Sequence, residues 1–370
     1  MSCDEARAGT NLDPHSVVGL FPELGGMGGI QVAGLLAWDA MVARTPWRLH
    51  AFHYGTRFDR ATAPGGATVT RATSKAGAVI AALRKHWSAD LLLVWHVSLL
   101  RLVPFFRLRR ARLVVLLHGI EAWHRHDWLT RFLLRRVNRF LSVSSHTWSR
   151  FVLSHPNLQQ APWCLVPLGT GSPLHGHTPP PQGRPAALML GRIASSEAYK
   201  GHEPVIKAWH SVLQRIPEAQ LWIAGDGDLR PDLERLVARL GLSDVVRFCG
   251  YVSEDEKQEL LARSRCLALP SRSEGFGLVY LEAMRAGRPC LVSTLDAGRE
   301  PVNPPEAGLA AHPDRPDELA SALCRLLTPG PEWERWSRAA RARYEARYTA
   351  RHFQERLLSA LDPLLVGQGG

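Results

Sequence analysis

Short apolar runs alternate with helix-patterned stretches along the whole chain, and this alternation most narrows the folds open to it. In the first half the runs are Val17–Phe21, Leu49–His53, Leu91–His96, Leu113–Leu117, Phe140–Ser144 and Cys164–Pro167. Between them, apolar spacing predicts helices over Ile30–Ala43, Gly77–Lys85, Trp128–Arg136 and His146–Leu153. Strand-length runs that alternate with helices predict a parallel sheet covered by helices.

The texture then changes. Residues Gly169–Pro185 are rich in glycine, proline and histidine and include Pro179-Pro180-Pro181, which reads as a linker. A second series follows, with strands expected at Ala187–Leu190, Gln220–Ala224, Val245–Cys249, Cys266–Leu269 and Cys290–Ser293. Its helices are expected at Glu203–Arg215, Arg230–Leu240, Glu254–Arg263 and Leu278–Ala286, and the tail reads as helical over Asp317–Leu327 and Pro331–Leu361. At 370 residues the chain exceeds one ordinary core. The expected division is a first domain over 1–172, a linker over 173–185, a second domain over 186–345 and a returning C-terminal helix over 346–370. Two open α/β sheets that face one another place a site in the cleft between their strand C-termini.

Composition excludes several classes. The six cysteines (Cys3, Cys164, Cys249, Cys266, Cys290, Cys324) show no paired spacing, which favours free thiols over disulfides or zinc. The polar start Met1-Ser2-Cys3-Asp4-Glu5 argues against a signal peptide. The most apolar stretch, Leu91 to Leu117, is broken by Arg101, Arg107, Arg109, Arg110 and Arg112, so no spanning helix is expected. The net charge of +11 is local: residues 1–180 carry 20 Lys+Arg against 9 Asp+Glu, and residues 181–370 carry 25 against 25. A basic patch on a neutral body points to one anionic partner surface.

The chemistry concentrates in Glu274-Gly275-Phe276-Gly277-Leu278-Val279-Tyr280-Leu281-Glu282. An apolar run feeds a glycine loop and then a helix with a carboxylate in its first turns. Gly275 and Gly277 allow close backbone approach, and the helix from Leu278 aims its first amides at an anion or a hydroxyl. Such a layout suits a phosphorylated sugar. Other segments fall in order along the chain: the loop Gly25-Gly26-Met27-Gly28-Gly29, Val166-Pro167-Leu168-Gly169, Gly191-Arg192 with Tyr199-Lys200-Gly201-His202, and Ala224-Gly225-Asp226-Gly227.

Together these segments resemble the large family of retaining glycosyltransferases with two Rossmann-like domains (GT-B fold, family GT4, the glycosyl transferases of group 1). The resemblance covers most of residues 17–365. It implies two Rossmann-like domains that face a central cleft, with the last helix packing back toward the first domain. It implies a UDP- or GDP-sugar as co-substrate, no cofactor and no metal. Glu274 would lie at the donor sugar, and Glu282 would bind the ribose hydroxyls, where a carboxylate can accept two O–H bonds from a vicinal diol. Arg192 and Lys200, on loops at the sheet edge, would hold the diphosphate and stabilise charge as the sugar–phosphate bond breaks. Gly28 and Gly29 would approach the diphosphate or the acceptor. Gly225, Phe276, Gly277 and Leu278 would complete the donor site. His118, in His118-Gly119-Ile120-Glu121, would contact the donor sugar, and Glu121 is a candidate for acceptor contact. One departure stands in Thr294-Leu295-Asp296-Ala297-Gly298-Arg299-Glu300, where only Gly298 and Glu300 approximate the adjacent glycines that the family often has.

Some patterns have competing readings. Asp226-Gly227-Asp228 looks like a metal-binding Asp-x-Asp but follows a strand where the family has a glycine turn. His118, His124, His126 and Asp127 match no standard zinc spacing. The stretches Arg101–Arg110 and Arg131–Arg136 interleave cationic and apolar residues. They read either as a membrane-docking surface or as elements covering the sheet with a solvated cationic edge, and no nucleic-acid motif accompanies them. The expected role is transfer of a hexosyl group to a saccharide acceptor, lipid-linked, in surface polysaccharide synthesis. The expected location is cytoplasmic, or peripheral on the inner face of the cell membrane. The alternatives are a transferase for a soluble acceptor, a sugar-releasing phosphorylase and a nucleotide-sugar-binding protein without turnover.

Overall fold

The computed structural model describes residues 15–24, 28–44, 47–55, 68–85, 87–108, 110–176 and 179–366. Readings that rest on Met1–Glu5, on Gly25, Gly26 and Met27, on Arg109, on 177–178 and on 367–370 lie outside them.

Two parallel sheets organise the chain. The first contains β1 (Ser16–Pro22), β2 (Arg48–Tyr54), β3 (Thr68–Ala72), β4 (Leu91–Val94), β5 (Arg112–Leu117), β6 (Arg139–Ser142) and β7 (Trp163–Leu165). Their order is β3-β2-β1-β4-β5-β6-β7. The second contains β8 (Ala186–Leu190), β9 (Gln220–Ala224), β10 (Val246–Gly250), β11 (Cys266–Ala268), β12 (Cys290–Ser293) and β13 (Gly308–Ala311), in the order β10-β9-β8-β11-β12-β13. Helices cover both faces, so central strands such as β4, β8 and β12 are buried along their whole length. A parallel strand shielded on both faces reads as a continuous apolar run, which is why the sequence displays these strands clearly.

The helices are α1 (Gly29–Val42), α2 (Lys75–Arg84), α3 (Trp128–Leu134), α4 (Ser145–Ser154), α5 (His202–Leu213) and α6 (Arg230–Arg239). They continue with α7 (Glu254–Arg263), α8 (Leu278–Arg285), α9 (Arg299–Val302), α10 (Pro316–Leu327), α11 (Pro331–Arg347) and α12 (Ala350–Val366). Most lie where apolar spacing predicts them. The tail beyond Pro331 needs correction: it is two helices, because Tyr348 leaves helical geometry and Thr349 Oγ1 accepts the His352 amide at 3.3 Å to start a new one. The run expected to extend to His96 also ends earlier, at Val94, and a 3₁₀ segment, Val97–Phe106, crosses the sheet face instead. Strands β3 and β13 are additional to the expected set.

Helix α12 returns to the first domain. Arg44 pairs with Asp362 at 2.8 Å, Gln354 donates to Leu36 O at 3.2 Å, and the Phe353 ring lies 6.4 Å from that of Trp95. The chain therefore crosses between the sheets twice, and the crossings are adjacent. Thr170 N donates to Tyr348 O at 3.0 Å and Ala350 N to Gly171 O at 2.9 Å. The segment after Gly169 is pinned along the second domain, with Arg285 donating to Ser172 O and Arg341 to Leu174 O.

Candidate active site

Both sheets reverse strand order at their first strand: β1 lies between β2 and β4, and β8 between β9 and β11. Open α/β sheets bind ligands outside the strand C-termini at such a switch point. In the second sheet, the loop after β8 carries Gly191 and Arg192, and the loop after β11 carries Glu274 through Gly277. In the first sheet, Gly28 and Gly29 precede α1, and His118 follows β5.

The two sets of loops meet. A side-chain carbon at Gly275 would overlap the carbonyl oxygen of His118, so glycine is required for this approach. Ser144 Oγ and Thr147 Oγ1 both donate to Gly275 O, at 2.7 and 3.1 Å. Glu300 crosses the same gap and accepts from Ser145 N at 2.9 Å and His146 N at 2.7 Å, which caps α4 from the other domain. A side-chain carbon on Gly29 would stand 3.5 Å from Leu278 Cδ1. The fold thus gathers Gly29, His118, Gly275 and Leu278.

Gly277 caps α8 with φ +86°, a left-handed conformation that favours glycine, and points the helix start toward this gap. The Phe276 ring is buried edge-on to Tyr348, so only its backbone can face a donor. Gly225 lies at the end of β9 beside Gly191, and its amide donates to Gly250 O at 2.7 Å.

The two cations expected at a diphosphate share one partner that the sequence reading missed. Glu197 lies 3.0 Å from Arg192 and 2.5 Å from Lys200. Arg192 is 68% exposed, whereas Lys200 is 15% exposed and lies over Gly191. Exposure leaves the guanidinium free to reorient toward an incoming anion.

Burial raises the pKa of Glu274; Lys200 opposes that rise and Glu197 adds to it. Beside it lies Asp296, which is buried and accepts from Glu274 N at 3.1 Å and Gly298 N at 3.0 Å. Burial first, and the neighbouring Glu274 carboxylate as well, push Asp296 up to about 7, against the pull of those backbone donors. Asp296 falls in the segment that departs from the family pattern, and it serves to hold the loop that carries Glu274.

Glu282 is not a solvated helix residue. It lies 2.7 Å from Lys257 of α7, which also meets Glu254 at 2.8 Å. His118 is buried, and its Nε2 lies 2.8 Å from Trp95 O. A carbonyl only accepts, so Nε2 carries the proton and Nδ1 keeps a lone pair. Burial lowers the His118 pKa to about 4, so the ring is neutral near neutral pH. Glu121 accepts from His118 N at 2.6 Å and Gly119 N at 3.1 Å, which fastens the His118 loop.

The metal-like patterns have structural partners. Asp228 accepts from Ser195 N and Oγ, both at 2.8 Å. Asp127 caps α3 and pairs with Arg101 at 2.5 Å. Among the described residues, no group of three His, Cys, Asp or Glu side chains is arranged to hold a metal.

Residues 184–329 match the family model for glycosyl transferases group 1. The chain is similar to an alpha-D-kanosaminyltransferase of Streptomyces kanamyceticus, 35% identical over 166 residues, which cover 45% of this chain and 42% of that one. It is also similar to a GDP-mannose-dependent monoacylated alpha-(1-6)-phosphatidylinositol monomannoside mannosyltransferase of Corynebacterium glutamicum, 32% identical over 170 residues, covering 44% of each. The matched segments span less than half the length of these curated relatives. The fold matches that of a sucrose-phosphate synthase from Thermosynechococcus elongatus with a TM-score of 0.77 at 18% identity, over 96% of this chain and 100% of that one.

Proposed function

We propose that this chain is a retaining glycosyltransferase, on the match of residues 184–329 to the family model for glycosyl transferases group 1 and on its two-sheet GT-B fold. It takes a UDP- or GDP-sugar as donor and moves the hexosyl group to a lipid-linked saccharide acceptor in surface polysaccharide synthesis. The second domain holds the donor, the first domain presents the acceptor, and the paired crossings at Gly169–Gly171 and Tyr348–Thr349 serve as the hinge.

One observation carries the reading. Arg192, Lys200, Glu274 and the start of α8 converge at the switch point of the second sheet, with Glu282 one helical turn further on. Cations and helix amides together suit a diphosphate, and a carboxylate on the same helix suits the ribose diol. In the step itself, the bond from the anomeric carbon to the diphosphate oxygen breaks, and its electron pair leaves with the phosphate. The acceptor hydroxyl forms the new bond on the same face of the sugar and passes its proton to the leaving phosphate oxygen. Arg192 and Lys200 stabilise the charge that develops there, in place of a metal ion. Neutral His118 accepts a donor-sugar hydroxyl through Nδ1, and Glu274 lies at that sugar. The lipid-linked acceptor is supported by the Corynebacterium relative, whose name specifies a phosphatidylinositol monomannoside.

The test is a panel of UDP- and GDP-hexoses incubated with lipid-linked saccharides, with the anomeric configuration of the product read by NMR. Transfer with retention is expected. Inversion, or turnover of no donor, would contradict the proposal.

A further inference from the structure

A second feature lies away from the cleft. A cavity of about 1150 Å³ opens between the 3₁₀ segment Val97–Phe106 and α3, at the N-terminal ends of β4 and β5. His118 and the donor loops lie at the opposite ends of their strands, so the cavity belongs to another surface.

Its walls combine two chemistries. Arg107, Arg110, Arg112 and Arg136 line it together with Val103, Leu108 and Phe132. Among the described residues, no carboxylate lines it and no ion pair engages any of these four arginines. Arg112 Nε has no hydrogen-bond partner, so the guanidinium charge in this wall is left uncompensated among the described residues. The Arg136 guanidinium lies 4.4 Å from the Phe132 ring centroid, at the edge of the cavity.

The adjoining surface exposes aromatic rings among its arginines. Along α3 and its C-terminal cap, Trp128, Arg131, Phe132 and Arg135 are all exposed, and their spacing puts them on one side of the helix. Trp128 is 73% exposed and Phe132 45%. Exposed aromatic rings beside arginines suit contact with a membrane interface. No helix among the described residues is long and apolar enough to cross a membrane, so contact through this helix would be peripheral.

We propose that this face of the first domain binds an anionic phospholipid at a membrane surface. The arginines of the cavity take the phosphodiester, Val103, Leu108 and Phe132 border the start of an acyl chain, and Trp128 enters the headgroup layer. Charge complementarity selects an anionic lipid, and the apolar wall selects a lipid over a free phosphate or a nucleic acid.

The test is flotation of the full chain with vesicles of phosphatidylcholine, alone or doped with phosphatidylglycerol. No nucleotide sugar is present, so the result is independent of the transfer reaction. The wild type should float with the anionic vesicles and not with the neutral ones. Arg107→Glu/Arg136→Glu should lower the partition coefficient by about thirty-fold or more, as expected for two arginines near the surface. Phe132→Ser should also weaken binding. A matched charge reversal on the second domain, Arg239→Glu/Arg338→Glu, should float with a partition coefficient at least tenfold higher than that of Arg107→Glu/Arg136→Glu, and thermal melts should show every variant folded. Failure of the wild type to float with anionic vesicles, or equal losses in the two charge-reversal variants, would overturn the proposal.

Discussion

Lys257 reaches from α7 to place its Nζ 2.7 Å from Oε1 of Glu282 on α8. The two groups are 16% and 24% exposed, so each is largely removed from water. Burial raises the pKa of Glu282, and Lys257 opposes that rise. The lysine thus favours the ionised form of the carboxylate, the form that accepts hydroxyl donors. Lys257→Met should destabilise the fold by about 1–3 kcal/mol, since a buried partner loses its bond. It should also weaken binding of the nucleotide about tenfold, an estimate for the loss of one good contact. Thermal melts and nucleotide titration check both. A variant that melts and binds like the wild type would exclude this role.

The pair Asp296 and Glu274 predicts a signature in pH. Asp296 is held at about 7 in the fold, above the ordinary carboxyl value. Between the ordinary value and about 7, the folded chain keeps a proton that the unfolded chain releases. The contribution of this residue to stability therefore falls as pH rises through that window. Asp296→Asn does not titrate. From about pH 5 to about pH 7, the stability of the variant relative to the wild type should improve by about 2 kcal/mol. Denaturant unfolding at each pH measures this. A difference that stays constant across the window would contradict it.

Glu300 ties the domains by capping α4 across the gap. Glu300→Ala should cost about 1 kcal/mol, as the loss of a helix cap does. It should also increase the radius of gyration in small-angle scattering without ligand, because an interdomain link is removed. Unchanged scattering together with an unchanged melt would show that other contacts hold the domains.

Much of this was legible in the sequence because buried parallel strands are continuous apolar runs and their C-terminal loops carry the glycines and charges. Strand β3 was not, since Thr68–Ala72 is an edge strand paired on one side, and its threonines and arginine alternate with little apolar signal. Strand β13 was missed because Gly308–Ala311 is short and, apart from Leu309, built of small residues. Arg192, Lys200 and Glu274 could be singled out from their loops and Glu282 from the helix that follows, but their partners could not. Lys257 meets Glu282 only through the packing of α7 beside α8, and Glu197 reads locally as one more surface acid. Asp296 carried a weak signal, a carboxylate between an apolar strand and a glycine, but its burial depends on the Glu274 loop folding over it.

Titration of UDP and GDP into the wild type and into Arg192→Ala/Lys200→Ala tests the central claim most directly. At least one nucleotide should bind the wild type. The double variant should bind it about a hundredfold more weakly, as expected for the loss of two charge-assisted contacts. Equal affinity in both proteins would contradict the assignment of these two cations to the diphosphate.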